Sequence, residues 1–218
     1  MNLVFLGAPG VGKGTQADRL VAQYGMRKIS TGDLLREAVR NGTELGQQAK
    51  AYMDRGQLVP DAVVIGLVKE TLAKTGDGSG FILDGFPRTV PQAQALEHVL
   101  EEQGIRLHGV INFRLSREEI VRRLSGRRSC PNCQATYHVQ FSPSRQGEQC
   151  DRCGATLVQR SDDRQDAIET RLKVYEEQTA PLINFYEKKQ ILSHLESEGS
   201  VDAVYERLTK VLEACSAA

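Results

Sequence analysis

The feature that most constrains this chain lies at its start. Asn2 to Leu6 is an apolar run, and Gly7-Ala8-Pro9-Gly10-Val11-Gly12-Lys13-Gly14-Thr15 follows at once. The order predicts a strand, a glycine-rich loop and then a helix. Without a Cβ in the way, such a loop can turn its N–H groups inward around a phosphate chain. The helix behind it aims the positive end of its dipole at the same point. Lys13 adds a full charge near the β and γ phosphates, and Gly7, four residues, then Gly12-Lys13 is the spacing of a nucleotide-binding P-loop. One position departs: the hydroxyl residue usual after the lysine is Gly14, with Thr15 one place later. Magnesium is then expected to be held mainly through water and phosphate oxygens.

At 218 residues the chain has room for one good-sized core plus inserts. Its 28 basic and 28 acidic side chains balance, so no overall field favours nucleic acid or a membrane surface. The amino terminus does not read as a signal peptide, and no apolar stretch approaches the roughly 20 residues of a spanning helix. A cytoplasmic location and a monomer are the expectations.

Helical periodicity predicts Lys13 to Gln23, closed by Gly25, then a short strand at Arg27 to Ile29. Ser30-Thr31-Gly32-Asp33 caps a helix that ends near Gly42, and further helices run from Glu44 to Arg55 and from Val63 to Lys74. Phe81 to Asp84 is a strand ending in a carboxylate, followed by a turn and a helix from Pro91 to Gln103. Val110 to Leu115 is a strand, and Ser116-x-x-Glu119 is a capping box for a helix to about Leu124. Residues 126–163 lack a helical period. A long helix, Asp166 to Lys188, is interrupted or kinked at Pro181. Ile191 to Leu195 is the last strand, Val201 to Ala214 the last helix, and the tail from Cys215 is expected to fray. Strands alternating with helices predict an α/β fold, a parallel sheet covered on both faces, with ligands at the carboxyl ends of its strands. The two regions that break the alternation, 30–59 and 126–163, become inserts overhanging that edge.

The strongest signal after the P-loop is Cys130-x-x-Cys133, sixteen residues, then Cys150-x-x-Cys153. Two such knuckles can bring four thiolates into a tetrahedron, a closed structural site that suits zinc, or iron. Free or disulfide-bonded cysteines are the alternative. His138 lies between the knuckles and reads as packing or ligand contact; Cys215 reads as incidental. Arg36, Arg88, Arg123, Arg127, Arg160 and Arg171 fall at element ends near the inferred crevice, where guanidinium forks can bind phosphate oxygens. Asp84 is placed to orient magnesium, directly or through water. Asp33 and Asp162-Asp163 are weaker candidates; the pair can instead fix arginines or hinge the second insert.

Taken together, these residues resemble the adenylate kinase family over essentially the whole chain. The matching motifs are Gly7 to Thr15, Ser30 to Arg36, Asp84-Gly85-Phe86-Pro87-Arg88 with Gln92, Gly126-Arg127-Arg128, Thr136-Tyr137-His138, Arg160 to Asp163 and Arg171-Leu172. The four-cysteine insert resembles the long-lid, zinc-bearing form. The resemblance implies a P-loop kinase core with a five-stranded parallel sheet (1–29, 60–125 and 164–218), an AMP-binding domain (30–59) and a lid (126–163). It implies Mg-ATP, AMP and ADP as partners, structural Zn2+, and neither nucleic acid nor membrane. Gly10, Val11, Gly12, Lys13, Gly14 and Thr15 would hold the ATP phosphates. Arg123 and Arg127 would approach ATP from the lid base, Thr136 and Tyr137 near its base and ribose, and Gly199 at its adenine. Thr31, Arg36, the backbone of Gln57, Leu58 and Val59, Gly85 to Arg88 and Gln92 would hold AMP, with Arg160 and Arg171 bridging to its phosphate. Lys13, Arg88, Arg123, Arg160, Arg171 and Asp84 would serve catalysis.

Three positions depart from the family pattern: Gln134 where glycine is frequent, Glu196 where aspartate is expected, and Gly199-Ser200 without the Lys-Pro of some members. The competing readings are a kinase for UMP, CMP or GMP, an AMP kinase using GTP, and, from another class, a zinc-knuckle nucleic-acid-binding protein. The insert has little of the aromatic–basic interleaving that last reading needs.

Overall fold

The structure is a computed structural model describing residues 1–74 and 80–216. Five strands form a parallel sheet in the order β2-β3-β1-β4-β7: β1 (Asn2–Leu6), β2 (Arg27–Ser30), β3 (Phe81–Asp84), β4 (Gly109–Arg114) and β7 (Leu192–Glu196). Successive side chains of a strand point to opposite faces, and here both faces are buried. Leu3 and Phe5 join Ile82, Ile111, Phe113 and Leu195 in one core. Val4 and Leu6 join Ile29, Phe81, Leu83 and Val110 in the other. The first core is closed by α1 (Lys13–Tyr24), α6 (Arg117–Ser125), α7 (Gln165–Val174) and α9 (Val201–Ser216). The second is closed by α2 (Thr31–Arg40), α3 (Glu44–Asp54), α4 (Asp61–Ala73), α5 (Val90–Glu102) and α8 (Pro181–Glu187).

The cap residues read from the sequence act as caps. Ser30 accepts from the Asp33 N–H, and Ser116 from the Glu119 N–H. Glu119 does not reach back to complete its box; its carboxylate pairs with Arg122 and Arg123 instead.

Central β1 lies between β3 and β4, so the crevice opens at the carboxyl end of β1, where the P-loop begins. The register sets Phe5 opposite Asp84, and Asp84 opposite Ser30, bringing three motifs side by side. The 126–163 region folds as a two-stranded antiparallel sheet, β5 (Arg127–Ser129) with β6 (Thr136–His138), extended by bridges such as Ser129 to Val158.

One expectation is sharpened and one needs correction. The helix predicted from Asp166 to Lys188 is two helices joined by a π turn, Tyr175–Thr179, in which the Ala180 N–H donates to the Tyr175 carbonyl. Proline has no N–H to donate, and its ring crowds the carbonyl four residues back, so the ladder widens just ahead of Pro181. Nor does the chain fray at Cys215. That residue belongs to α9, packs against the first core, and sets its Sγ 3.9 Å from Ser193 Oγ. The last two residues of the tail lie outside the described residues.

Candidate active site

A cavity of about 1560 Å³ lies over the carboxyl edge of the sheet, walled by the P-loop, both inserts and the start of α9. The P-loop shape depends on its glycines. Gly7 (φ 133°) has no room for a Cβ, which would stand 2.5 Å from the Phe113 carbonyl oxygen. Gly12 (φ 100°) turns the chain into α1. Lys13 Nζ donates to the carbonyls of Gly7 and Ala8 at 2.7 and 2.9 Å. Burial, reinforced by Arg88, Arg171 and Arg127, lowers its pKa from 10.5 to about 8 despite Asp84.

Gly14 finds its reason in Asp84. A Cβ at position 14 would approach Asp84 Oδ2 to 3.2 Å, so the absent side chain leaves that carboxylate room over the loop. Beside it sits a cation that motif reading missed. Lys28 Nζ lies 2.9 Å from Asp18 and 3.7 Å from Asp33. Burial works against its charge, and Asp84, Asp18 and Asp33 outweigh that to raise its pKa. Its signal was only one basic residue on a strand next to three carboxylates that the fold brings together.

The arginines fall into two groups. Arg127 grips Asp163 with two parallel bonds of 2.7 and 2.5 Å, and Arg171 donates to the same carboxylate at 2.9 Å. The Asp163 side chain is fully buried, so of its two suggested roles it takes that of fixing arginines. Burial opposes the charge of Arg127, and Asp163 outweighs it, raising the pKa. Arg123 is held by Glu119 and the Ser197 carbonyl, and Arg36 by Asp33. Arg88 and Arg160 differ: among the described residues neither pairs with a carboxylate. Arg88 Nε donates to the Gly85 carbonyl at 2.8 Å, and Arg160 Nε to Ser129 Oγ at 2.7 Å. Burial and neighbouring guanidiniums lower Arg88 to about 10 and Arg160 to about 9.

On the far wall, Thr31 Oγ1 donates to the Gly85 carbonyl at 2.8 Å, joining the start of α2 to the turn after β3. Gly56 (φ 71°) packs the end of the helical insert against Ala167 and Arg171, too close for any Cβ. The inserts meet: Arg40 donates to the Asn132 carbonyl at 2.8 Å, and Ser161 to Asp54 at 2.6 Å.

The sulfurs of Cys130, Cys133, Cys150 and Cys153 all lie within 4.8 Å of one another, with contacts of 3.4 and 3.5 Å. A tetrahedral metal with bonds of about 2.3 Å needs sulfur–sulfur edges of about 3.8 Å, so the set fits zinc. The Tyr137 hydroxyl stands 3.5 Å from Cys150 Sγ and accepts from the Asp151 N–H at 2.9 Å. With that hydroxyl as the largest cause, Cys150 falls to about 6; the Ala135 N–H favours the Cys133 thiolate, but burial and the three neighbouring sulfurs outweigh it and push that thiol up to about 12.

Comparison with known proteins decides the family. The sequence profile described as "Adenylate kinase" matches residues 5–191. An adenylate kinase of Thermodesulfovibrio yellowstonii is 53% identical over 213 residues, covering 98% of this chain and 99% of that one. One from Archaeoglobus fulgidus is 50% identical over 213 residues, 98% of each. The chain belongs to the adenylate kinase family.

Nearly all the residues that the adenylate kinase resemblance places at the site line the one cavity. They include the P-loop, Thr31, Arg36, Gln57 to Val59, Asp84, Gly85, Arg88, Gln92, the remaining arginines, Thr136, Tyr137 and Gly199. Phe86 is the exception: its ring is 1% exposed and turns into the second core, anchoring the turn from beneath. Of the cysteines only Cys133 reaches the cavity wall. His138 stays outside the sulfur cluster; its Nδ1 accepts the N–H groups of Gln140 and Phe141, and its ring packs over Gly126. At the first departure from the adenylate kinase pattern, Gln134 has φ 62°, the left-handed geometry that Gly154 (φ 73°) supplies in the second knuckle. Its Oε1 is buried without a partner among the described residues. Glu196 is exposed and pairs with Arg114, while Gly199 (φ 102°) lies on the cavity wall.

Proposed function

We infer that this chain catalyses reversible phosphoryl transfer from Mg-ATP to AMP, giving two ADP. Three half-buried cations, Lys13, Arg88 and Arg160, face one cavity without carboxylate partners among the described residues, and this carries the reading. Uncompensated charge out of water is costly, and two phosphate chains would offset it. Gly10 to Thr15 hold the ATP phosphates, with Arg123 and Arg127 at the lid base and Thr136, Tyr137 and Gly199 towards the base. Thr31, Arg36, the Gln57 to Val59 backbone, the Gly85-Phe86-Pro87-Arg88 turn and Gln92 hold AMP. Residues 30–59 act as the AMP-binding domain and 126–163 as the lid, over a core of 1–29, 60–125 and 164–218.

An AMP phosphate is already an oxyanion, so its attack needs no general base. The work left to the protein is alignment and neutralisation. Lys13 and the loop amides hold the transferring group; Arg88, Arg160 and Arg171 bring the acceptor phosphate in line and spread the charge that develops between them. Magnesium bound with ATP would neutralise phosphate oxygens there, with Asp84 placed to order its shell. The two inserts, in contact through Arg40 with Asn132 and Asp54 with Ser161, exclude the water that would otherwise take the phosphoryl group. Cys130, Cys133, Cys150 and Cys153 would hold zinc, which would stiffen a lid whose apolar cluster comprises few residues. The chain acts as a cytoplasmic monomer, and among the described residues no helix is long and apolar enough to cross a membrane.

A coupled assay over a panel of nucleoside mono- and triphosphates tests the reading. AMP with ATP is expected to give the highest kcat/KM. A higher value with UMP, CMP or GMP, or with GTP as donor, would overturn the assignment.

A further inference from the structure

Asp61, at the start of α4, has both carboxylate oxygens taken up by α5. Oδ1 accepts from Gln92 Nε2 at 2.7 Å, and Oδ2 accepts from Thr89 Oγ1 at 2.9 Å. Thr89 in turn caps α5 by accepting the Gln92 N–H at 3.2 Å. The other end of the Gln92 amide, Oε1, accepts the Arg88 N–H at 2.8 Å. Gln92 is 1% exposed and lines the cavity. Its amide therefore has one orientation. Turned over, it would set its oxygen against a carboxylate and its NH2 against an N–H, two repulsive contacts in place of two bonds. As held, it keeps one amide hydrogen and one oxygen lone pair for a ligand.

That order distinguishes purines. Adenine presents an acceptor at N1 beside a donor at N6; hypoxanthine and guanine present a donor at N1 beside an acceptor at O6. A glutamine amide reads the first edge in one orientation and the second only when turned over. We propose that Asp61 is a positioning residue for base selection. With the Arg88 N–H it locks Gln92 in the orientation that accepts a 6-aminopurine monophosphate and rejects a 6-oxopurine. This rests on the proposed placing of Gln92 in the AMP site, and takes its amide as the group that meets the base. A carboxylate in the first turn of α4 also suits the helix dipole, but that role does not require both oxygens to bond α5.

The test compares the wild-type protein with Asp61→Asn, Gln92→Ala and the double variant, using AMP and IMP as acceptors at saturating ATP. An asparagine can turn its own NH2 towards Gln92 Oε1, which removes one of the two locks. Loss of one charge-assisted bond predicts about a tenfold fall in kcat/KM for AMP, carried by KM, with IMP unchanged or improved. The AMP-to-IMP ratio then falls about tenfold or more. In the Gln92→Ala background, Asp61→Asn is expected to change that ratio no further. An unaltered ratio in Asp61→Asn, with a collapsed ratio in Gln92→Ala, would overturn the lock while leaving the base contact standing. An unaltered ratio in Gln92→Ala would overturn the base contact itself. Equal losses for AMP and IMP, repeated in the Gln92→Ala background, would mark Asp61 as merely structural. Asp61→Ser, which also withdraws the carboxylate, gives the same readout if the asparagine variant does not fold.

Discussion

Nucleotide binding by this protein is expected to take up a proton at mildly alkaline pH, and Lys13 is the group that accepts it. The drop from 10.5 to about 8 corresponds to roughly 3 kcal/mol of preference for the neutral amine in the folded protein. A folded-state pKa below the unfolded one makes the charged side chain a penalty below about pH 8, relieved as pH rises towards 10.5. A phosphate chain in the P-loop reverses this by restoring the ammonium. At pH 8 about half of the free protein carries neutral Lys13, so binding ATP takes up about half a proton, and at pH 9 about 0.9. Above that, ATP affinity falls by up to about tenfold per pH unit. Titration calorimetry in buffers of different ionisation enthalpy reads the uptake directly, and ATP itself does not titrate in this range. Lys13→Met removes the group, so the variant is expected to bind ATP weakly with no uptake from this position. Equal uptake by wild type and variant at pH 8.5, or none by either, would refute the reasoning.

Three further perturbations test the scaffold. Gln134→Gly relieves a left-handed glutamine and a buried unpaired oxygen, so about 1 kcal/mol of local stabilisation and slower loss of metal to a chelator are expected. Faster loss would show that the glutamine side chain supports the knuckle. Replacing Cys130 and Cys133 by serine is expected to release zinc and lower Tm, with activity surviving at low temperature; an unchanged melt would rule out the metal staple. Asp163→Asn leaves Arg127 and Arg171 without their shared carboxylate at a buried position, a loss of about 3–5 kcal/mol seen in the thermal midpoint. A loss below about 1 kcal/mol would mean that solvent replaces the carboxylate.

What could be read from the sequence was whatever local chemistry dictates. The P-loop, the caps at Ser30 and Ser116, the five strands and the four-cysteine cluster each rest on residues close together in the chain. Lys28 and Asp61 were not legible, because their partners lie on other elements: Asp33 and Asp84 for the first, Thr89 and Gln92 for the second. Phe86 is a motif residue whose side chain serves the fold. It sits inside a binding motif, yet an aromatic ring in a turn after a buried strand gains more by entering the core than by lining a polar cavity. Pro181 marked a break correctly, but whether the helix would kink, end or widen into a π turn depended on how Tyr175 and Ala180 could re-form the ladder.

The division among the cations explains how one cavity can be both ordered and demanding. Arg36, Arg123, Arg127 and Arg171 have carboxylates of their own, so their forks are in place whether or not a nucleotide is present. Preset donors of this kind cost little to organise when the reaction occurs. Lys13, Arg88 and Arg160 have none among the described residues, and burial, with repulsion from neighbouring guanidiniums, lowers the pKa of each. Had these three also been neutralised internally, the site would be more stable and would hold phosphates less tightly. Had all the cations been left unpaired, repulsion would work against closing the inserts over them. On the proposed reading, closure is expected to depend on ligand charge: one phosphate chain offsets part of the repulsion, and two offset more. The inserts are then expected to close most completely when both nucleotides are bound, which is also when transfer to water must be prevented.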